Sequence, residues 1–178
     1  VSKRMITEFS SIYTDGTADS MTPLTALSMY DQFRELTPVG RRGDRIIQRL
    51  ADRLVEVDLL DRASVLLERQ VKFRLRGKQK AIVGSKLALI RLLDRQPRMA
   101  LDALNESVSP GLDSRLALER KRLRSRSVFE LGDSESALKL IKNDDSRKAD
   151  LLRADIYWRT QDWERSALIY QRLIGDTG

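Results

Sequence analysis

Apolar residues recur every three or four positions along this chain, with charged residues between them, from near its start to near its end. In residues 3–13, Met5, Ile6, Phe9, Ile12 and Tyr13 fall at helical spacing, and the run stops at Asp15-Gly16. The segment MTPLTALSMYDQFRELTP then supplies Thr22 as an N-cap and Pro23 at the first helical position. Its apolar stripe is Leu24, Leu27, Tyr30, Phe33 and Leu36, and Pro38 with Gly40 closes it. From residue 44 the pattern predicts further helices over about 44–57, 59–75, 79–94, 97–107, 113–131, 134–142, 146–160 and 162–174. No stretch alternates β-branched and polar residues with period two, so the predicted class is all-α with about ten helices.

The later helices share a ruler. The segment WRTQDWERSALIYQRL reads as a helix ending, a short turn and a helix beginning. Around it, Ala154 is followed twelve positions on by Ser166 and four further on by Tyr170. The same spacing gives Ala51, Ala63 and Leu67; Ala88, Ala100 and Leu104; and Ser125, Ala137 and Ile141. Two antiparallel helices joined by a short turn approach closely only where side chains are small, and a larger residue one turn on fills the groove beside the contact. Each pair leaves an apolar face that a neighbouring pair must cover, so the pairs are expected to stack.

RADIYWRTQDWERSALIY and SVFELGDSESALKLI carry these small residues in the places that make them resemble the tetratricopeptide repeat. The likeness covers about residues 44–174 and has departures. Units begin 37, 37 and 29 residues apart instead of the regular spacing of about 34. The closing proline is missing, and Arg91 stands where an aromatic or leucine is usual. The position near the end of the second helix, usually alanine, holds Gln70, Ser107, Asp144 and Leu173. The resemblance implies an α-solenoid of stacked antiparallel helix pairs in a right-handed superhelix, forming one continuous domain. In it a helical hairpin over 1–40 caps four pairs within 41–178, at about 44–75, 79–107, 113–142 and 146–174. The chain also resembles the C-terminal end of large bacterial repeat proteins. With its start at Val1, this suggests a fragment of a longer chain, from the bacterial cytoplasm or cell envelope.

In such repeats the first helix of each pair lines the concave face. The resemblance assigns that face to Arg45, Gln48, Asp52, Val55 and Glu56; Ile82, Ser85, Leu89, Leu92 and Leu93; Glu119, Arg122, Arg126, Phe129 and Glu130; and Lys148, Leu151, Asp155, Trp158 and Arg159. The lysine and asparagine of the carboxylate-clamp subclass are replaced by Gln48/Asp52, Ser85/Leu89, Arg122/Arg126 and Leu151/Asp155, so a chaperone-tail clamp is not expected. The candidate partner-binding residues are Arg122, Arg126, Phe129, Trp158, Lys148 and Arg159. Two arginines four apart beside aromatic rings suit a carboxylate or an acidic peptide. The opposing reading packs Phe129 and Trp158 between repeats and pairs the arginines with Glu119 and Glu130. Trp163, at the start of the last helix, is read as an aromatic that packs the turn.

Composition narrows the functional classes. The 178 residues are 41% hydrophobic and 33% charged, as in one helical domain. The absence of cysteine and histidine removes thiol nucleophiles, disulfides, the usual zinc sites and the histidine general base. GRRGDR lacks the ending of a phosphate-binding loop, DGTADS lacks the bidentate glutamate of a calcium loop, and Asn105-Glu106-Ser107 fits a glycosylation acceptor too common to carry weight. No enzyme activity and no cofactor is therefore expected. No apolar run approaches the roughly 20 residues of a membrane span.

A net charge of +7 invites a nucleic-acid reading, but the signs are mixed. The densest run, RKRLRSR at 120–126, points around more than half of a helix. The leading expectation is a non-enzymatic scaffold binding a protein or peptide partner, an acidic one among the candidates, through the concave face or the C-terminal end. The alternatives are nucleic-acid binding through the basic helices and a helical accessory domain of a larger enzyme. The last helix displays Leu168, Ile169, Leu173 and Ile174 with no capping helix after it, which suggests a homodimer contact there.

Overall fold

The computed structural model describes residues 3–175, and these form helices and loops with no strand. Ten α-helices follow one another among the described residues: α1 Lys3–Thr14, α2 Pro23–Gln32, α3 Arg41–Glu56, α4 Leu60–Phe73, α5 Gly77–Leu93, α6 Pro97–Glu106, α7 Ser114–Glu130, α8 Ser134–Leu140, α9 Arg147–Arg159 and α10 Trp163–Gly175. Single 3-10 turns lie at Ala18–Ser20 and Arg34–Leu36. Side-chain oxygens of Thr22, Asp113, Asp133 and Ser146 accept the first free backbone N–H groups of α2, α7, α8 and α9. α2 stops at Gln32, short of the predicted end of its stripe, leaving Phe33 exposed and Leu36 buried in the 3-10 turn. Pro38 closes the segment beyond that turn: its ring disfavours helical backbone in the residue before it, and Thr37 is extended at φ −64 and ψ 120.

From α3 onward the turns inside the pairs repeat. Asp58, Arg95, Gly132 and Gln161 have φ of 60, 57, 98 and 63, in the left-handed region. The next N–H reaches five residues back in each case: Leu59 to the carbonyl of Leu54 at 2.8 Å, Gln96 to Arg91 at 2.8 Å, Asp133 to Val128 at 3.2 Å and Asp162 to Tyr157 at 2.8 Å. This is the Schellman helix end, used four times. Its left-handed residue recurs at the 37, 37 and 29 spacing of the small residues. The last interval is shorter because both its helices are: α8 has 7 residues where α4 has 14 and α6 has 10, and α9 has 13 where α5 and α7 have 17.

At each close contact the small residues are buried: Ala51 and Ala63, Ala88 and Ala100, Ser125 and Ala137, Ala154 and Ser166. In the third pair Ser125 Oγ donates to the carbonyl of Ala137 at 2.7 Å; in the fourth Ser166 Oγ donates to that of Ala154 at 3.1 Å. Leu67, Leu104 and Ile141 are buried one turn on, whereas Tyr170 is exposed on α10. Beyond the pairs, the main packing runs between helices one or two apart in the chain, with α5 against α7 and α7 against α9. α1 and α2 both lie on α3, and the Tyr13 hydroxyl, its pKa pushed up by burial, donates to the carbonyl of Ala26 at 2.8 Å.

The apolar interior falls into two clusters. One runs from Phe9 in α1 to Leu104 in α6, and the other gathers Phe129, Ala137, Ile141, Leu152 and Ile156 from α7 to α9. Between α5, α6 and α7 sits the Arg120 guanidinium. It donates to the carbonyls of Ala81 and Leu104, at 2.8 and 2.7 Å, and to the hydroxyls of Ser85 and Ser107. Gly84 makes this layer thin: a Cβ there would lie 1.9 Å from Ser107 Oγ and 2.2 Å from its Cβ.

Two expectations follow for chemical denaturation. Arg95→Gly relieves an exposed left-handed residue and raises stability by about 1 kcal/mol. Gly84→Ala, which in an ordinary helix interior gains about 1 kcal/mol, instead loses about 1–3 kcal/mol through overpacking against Ser107. A stabilising Gly84→Ala would show that the close approach of α5 and α6 is wrong.

Candidate interaction surface

α5, α7 and α9, the first helices of successive pairs, lie side by side, and a groove of about 550 Å³ opens across them. α5 contributes Leu89, Leu92 and Leu93, α7 contributes Glu119, Arg122, Leu123 and Arg126, and α9 contributes Lys148, Leu151 and Leu152. Leu89, Leu93 and Leu151 are 48%, 58% and 46% exposed. The repeat mapping reaches every lining residue except Leu123 and Leu152, which are less exposed and face inward from between the mapped positions. Two further recesses use the odd-numbered helices. One of about 630 Å³ lies between α1 and α3 at Arg42, Arg45 and Arg49, and one of about 600 Å³ between α5 and α7 at Ile82 and Arg115. Glu119 lines both the latter and the groove, and the Lys86–Asp52 ion pair ties α5 to α3.

Arg122, Arg126 and Lys148 meet in the groove, yet in different states. Arg122 donates to Asp144 Oδ2 at 2.6 Å and to Ser146 Oγ at 3.3 Å. The Asp144 side chain is 3% exposed; burial pushes its carboxyl up, but hydrogen bonds from Ser146 and Arg122 together outweigh this and hold it below the usual carboxylate range. Arg126 is held by Asp155 at 2.6 Å and by Glu130 at 2.9 Å. Lys148 is exposed and forms no ion pair among the described residues.

The remaining candidates lie outside the groove. Phe129 is buried in the second apolar cluster, and the Arg159 guanidinium covers its ring at 4.4 Å. Arg159 also grips Glu130 through both carboxylate oxygens, at 2.7 and 3.1 Å, and this bond chiefly holds the Glu130 carboxyl below its ordinary pKa. Trp158 is half exposed and meets Trp163 edge to face at 4.8 Å; Trp163 packs across the turn as expected but leaves half its own surface open.

The basic run at 120–126 turns largely onto protein. Arg120 bridges three helices, Arg122 and Arg126 hold carboxylates, and Arg124 donates to Asn105 Oδ1 at 2.8 Å. Sequence reasoning missed the role of the repeat position occupied by Gln70, Ser107 and Asp144. All three are buried and bonded there, Gln70 to the carbonyl of Asp44, Ser107 to Arg120 and Asp144 to Arg122. Arg91, also a departure from the repeat pattern, is buried and bonded to Glu68 at 3.2 Å and Gln96 at 2.9 Å. A polar residue where the repeat favours alanine was the available signal.

Among the described residues no group of carboxylates is placed to hold a metal ion, and no helix is long and apolar enough to cross a membrane. Comparison with protein-family models, curated proteins and solved structures finds no match for the chain.

Charge reversal at Arg122 is thus a test of stability before it is one of binding. Asp144→Asn is expected to cost about 3 kcal/mol near neutral pH. Because the folded pKa of Asp144 is depressed, its contribution is complete above about pH 5 and is lost as pH falls through that pKa. The gap between wild type and variant in denaturant titrations should therefore close in acid; a gap independent of pH would rule out the ion pair.

Proposed function

We propose that this chain is a non-enzymatic interaction scaffold, a right-handed solenoid of four tetratricopeptide-like helix pairs, that seats a partner segment in the groove across α5, α7 and α9. The fourfold Schellman turn and the packing between near neighbours in the chain support the solenoid. One observation carries the function: Leu89, Leu93 and Leu151 stand half exposed around a shared groove with the unpaired Lys148 at its edge. Burying the exposed half of a leucine side chain is worth about 1 kcal/mol, so three of them together make an anchor site.

The chemistry of the partner follows from what the groove leaves free. Arg122 and Arg126 already hold carboxylates, so a partner's carboxylate would have to displace Asp144 or Asp155. The groove therefore selects large apolar side chains first, with an acidic residue placed for Lys148. The inward-turned arginines of 120–126 favour this reading over a nucleic-acid track, which needs cations facing outward along one line.

Peptide-display selection against the folded chain tests the assignment. Enriched sequences should carry two or three large apolar residues at helical or alternate spacing beside Asp or Glu. Leu89→Gln with Leu151→Gln should weaken their binding at least tenfold, while stability stays within about 0.5 kcal/mol as for surface changes. Selected peptides that bind the double variant as tightly as wild type would remove the groove assignment.

A further inference from the structure

A second recess shares no residue with that groove. It lies where α4 faces α2 and the 3-10 turn after it, as adjoining cavities of about 380 and 280 Å³ that have Arg34, Leu66 and Arg69 in common. The α4 wall presents Arg62, Val65, Leu66, Arg69, Gln70 and Phe73, three or four apart and so on one helix face. Along the helix axis that stripe runs about 16 Å, the length of about five extended residues.

Three features define what would fit. Arg34 and Arg69, on opposite walls, form no ion pair among the described residues. Arg74 at the end of the cleft differs: Asp44 holds it at 2.8 Å and the carbonyl of Pro38 at 2.7 Å. The floor between the walls is apolar, made by Tyr30, Ile47 and Leu66, all buried. Finally, Gln70 is wholly buried and lines the cleft. Its Nε2 donates to the carbonyl of Asp44 at 3.0 Å, which fixes the amide orientation and leaves Oε1 with no donor among the described residues. A buried acceptor without a donor costs about 1–3 kcal/mol, so Oε1 favours an occupant of the cleft that offers it an N–H or O–H.

We propose that this cleft binds an extended peptide segment in which an acidic side chain sits beside an apolar one. The carboxylate bridges Arg34 and Arg69, the apolar side chain enters over Leu66, and a backbone N–H donates to Gln70 Oε1. A bare phosphate satisfies the arginines, and its P–OH can donate to the amide oxygen, but it leaves the apolar floor uncovered. A nucleic-acid backbone supplies anions without the N–H. Asp31, on the α2 wall of the smaller cavity, confines the acidic position to the centre of the cleft. The site stands independently of the α5/α7/α9 groove.

The test is a two-dimensional NMR titration of the isotope-labelled full chain. The probes are a pool of acetylated pentapeptides with central Asp or Glu flanked by Leu or Val, the same pool with central Asn or Gln, inorganic phosphate, and a short oligothymidylate. The acidic pool should shift the Gln70 side-chain amide and the Arg34 and Arg69 Nε resonances saturably, and the neutral pool should bind at least tenfold more weakly. Arg34→Glu with Arg69→Glu should abolish the shifts, and Gln70→Met, of similar volume, should weaken binding about fivefold. Leu89→Gln with Leu151→Gln should leave them unchanged. The proposal is overturned if the acidic pool gives no saturable shift at the cleft, if the neutral pool binds equally, or if phosphate or oligothymidylate shifts these resonances as strongly as the peptides do.

Discussion

Where the two helices of a pair touch, only alanine or serine separates their backbones, and Ser125 and Ser166 mark the contact with hydroxyls that reach the opposite helix. Everything else in the chain is positioned by that approach. It draws the helices together within a turn of a few residues, and the Schellman end is the short connection that reverses direction while still satisfying the terminal carbonyls. Three of the four turns accept a residue other than glycine in the left-handed region, at Asp58, Arg95 and Gln161. The contact is strong enough to impose a conformation these residues disfavour. With the pairs so fixed, α5, α7 and α9 line up and their leucines come to one groove.

The second organising device is arginine used on carbonyl groups. Arg53 donates to Ala18 and Met21, Arg74 to Pro38, Arg120 to Ala81 and Leu104, Arg147 to Leu173, and Arg153 to Asp144. A guanidinium offers five donors in a planar fork and suits helix ends and loops, where several carbonyls lack intrahelical partners. These five of the 33 basic residues are thereby engaged on the protein's own backbone. From the sequence their charge reads as a surface property; from the structure it is part of how the loops are held.

The difference between the two views is one of distance along the chain. Helices, caps such as Thr22 and the small-residue ruler are set by neighbours within a turn or two, and for that reason they could be read directly. Most residues that line the groove across α5, α7 and α9 fall at positions the register had singled out. What those residues do there did not follow from it, because the partners of Arg122 and Arg126 are Asp144 and Asp155, 22 and 29 residues on. Charge pattern alone offered Glu119 and Glu130; only Glu130 is used, by Arg126 and Arg159. Gln70 was harder still, since a glutamine in an amphipathic helix looks like a surface residue until Asp44, 26 positions earlier, is seen to hold its amide indoors.

The Arg120 layer separates two apolar interiors, and water can take over its hydrogen bonds at small net loss, whereas parting an apolar contact exposes greasy surface. The chain therefore has two apolar interiors with a polar layer at their joint, and Leu123 of α7 crosses it to pack on the first. The groove lies across that joint, because Leu92 and Leu123 pack on one interior and Leu152 belongs to the other. On the proposed reading, a segment lodged there would bridge both interiors, so that occupancy would stabilise the contact between them by mass action.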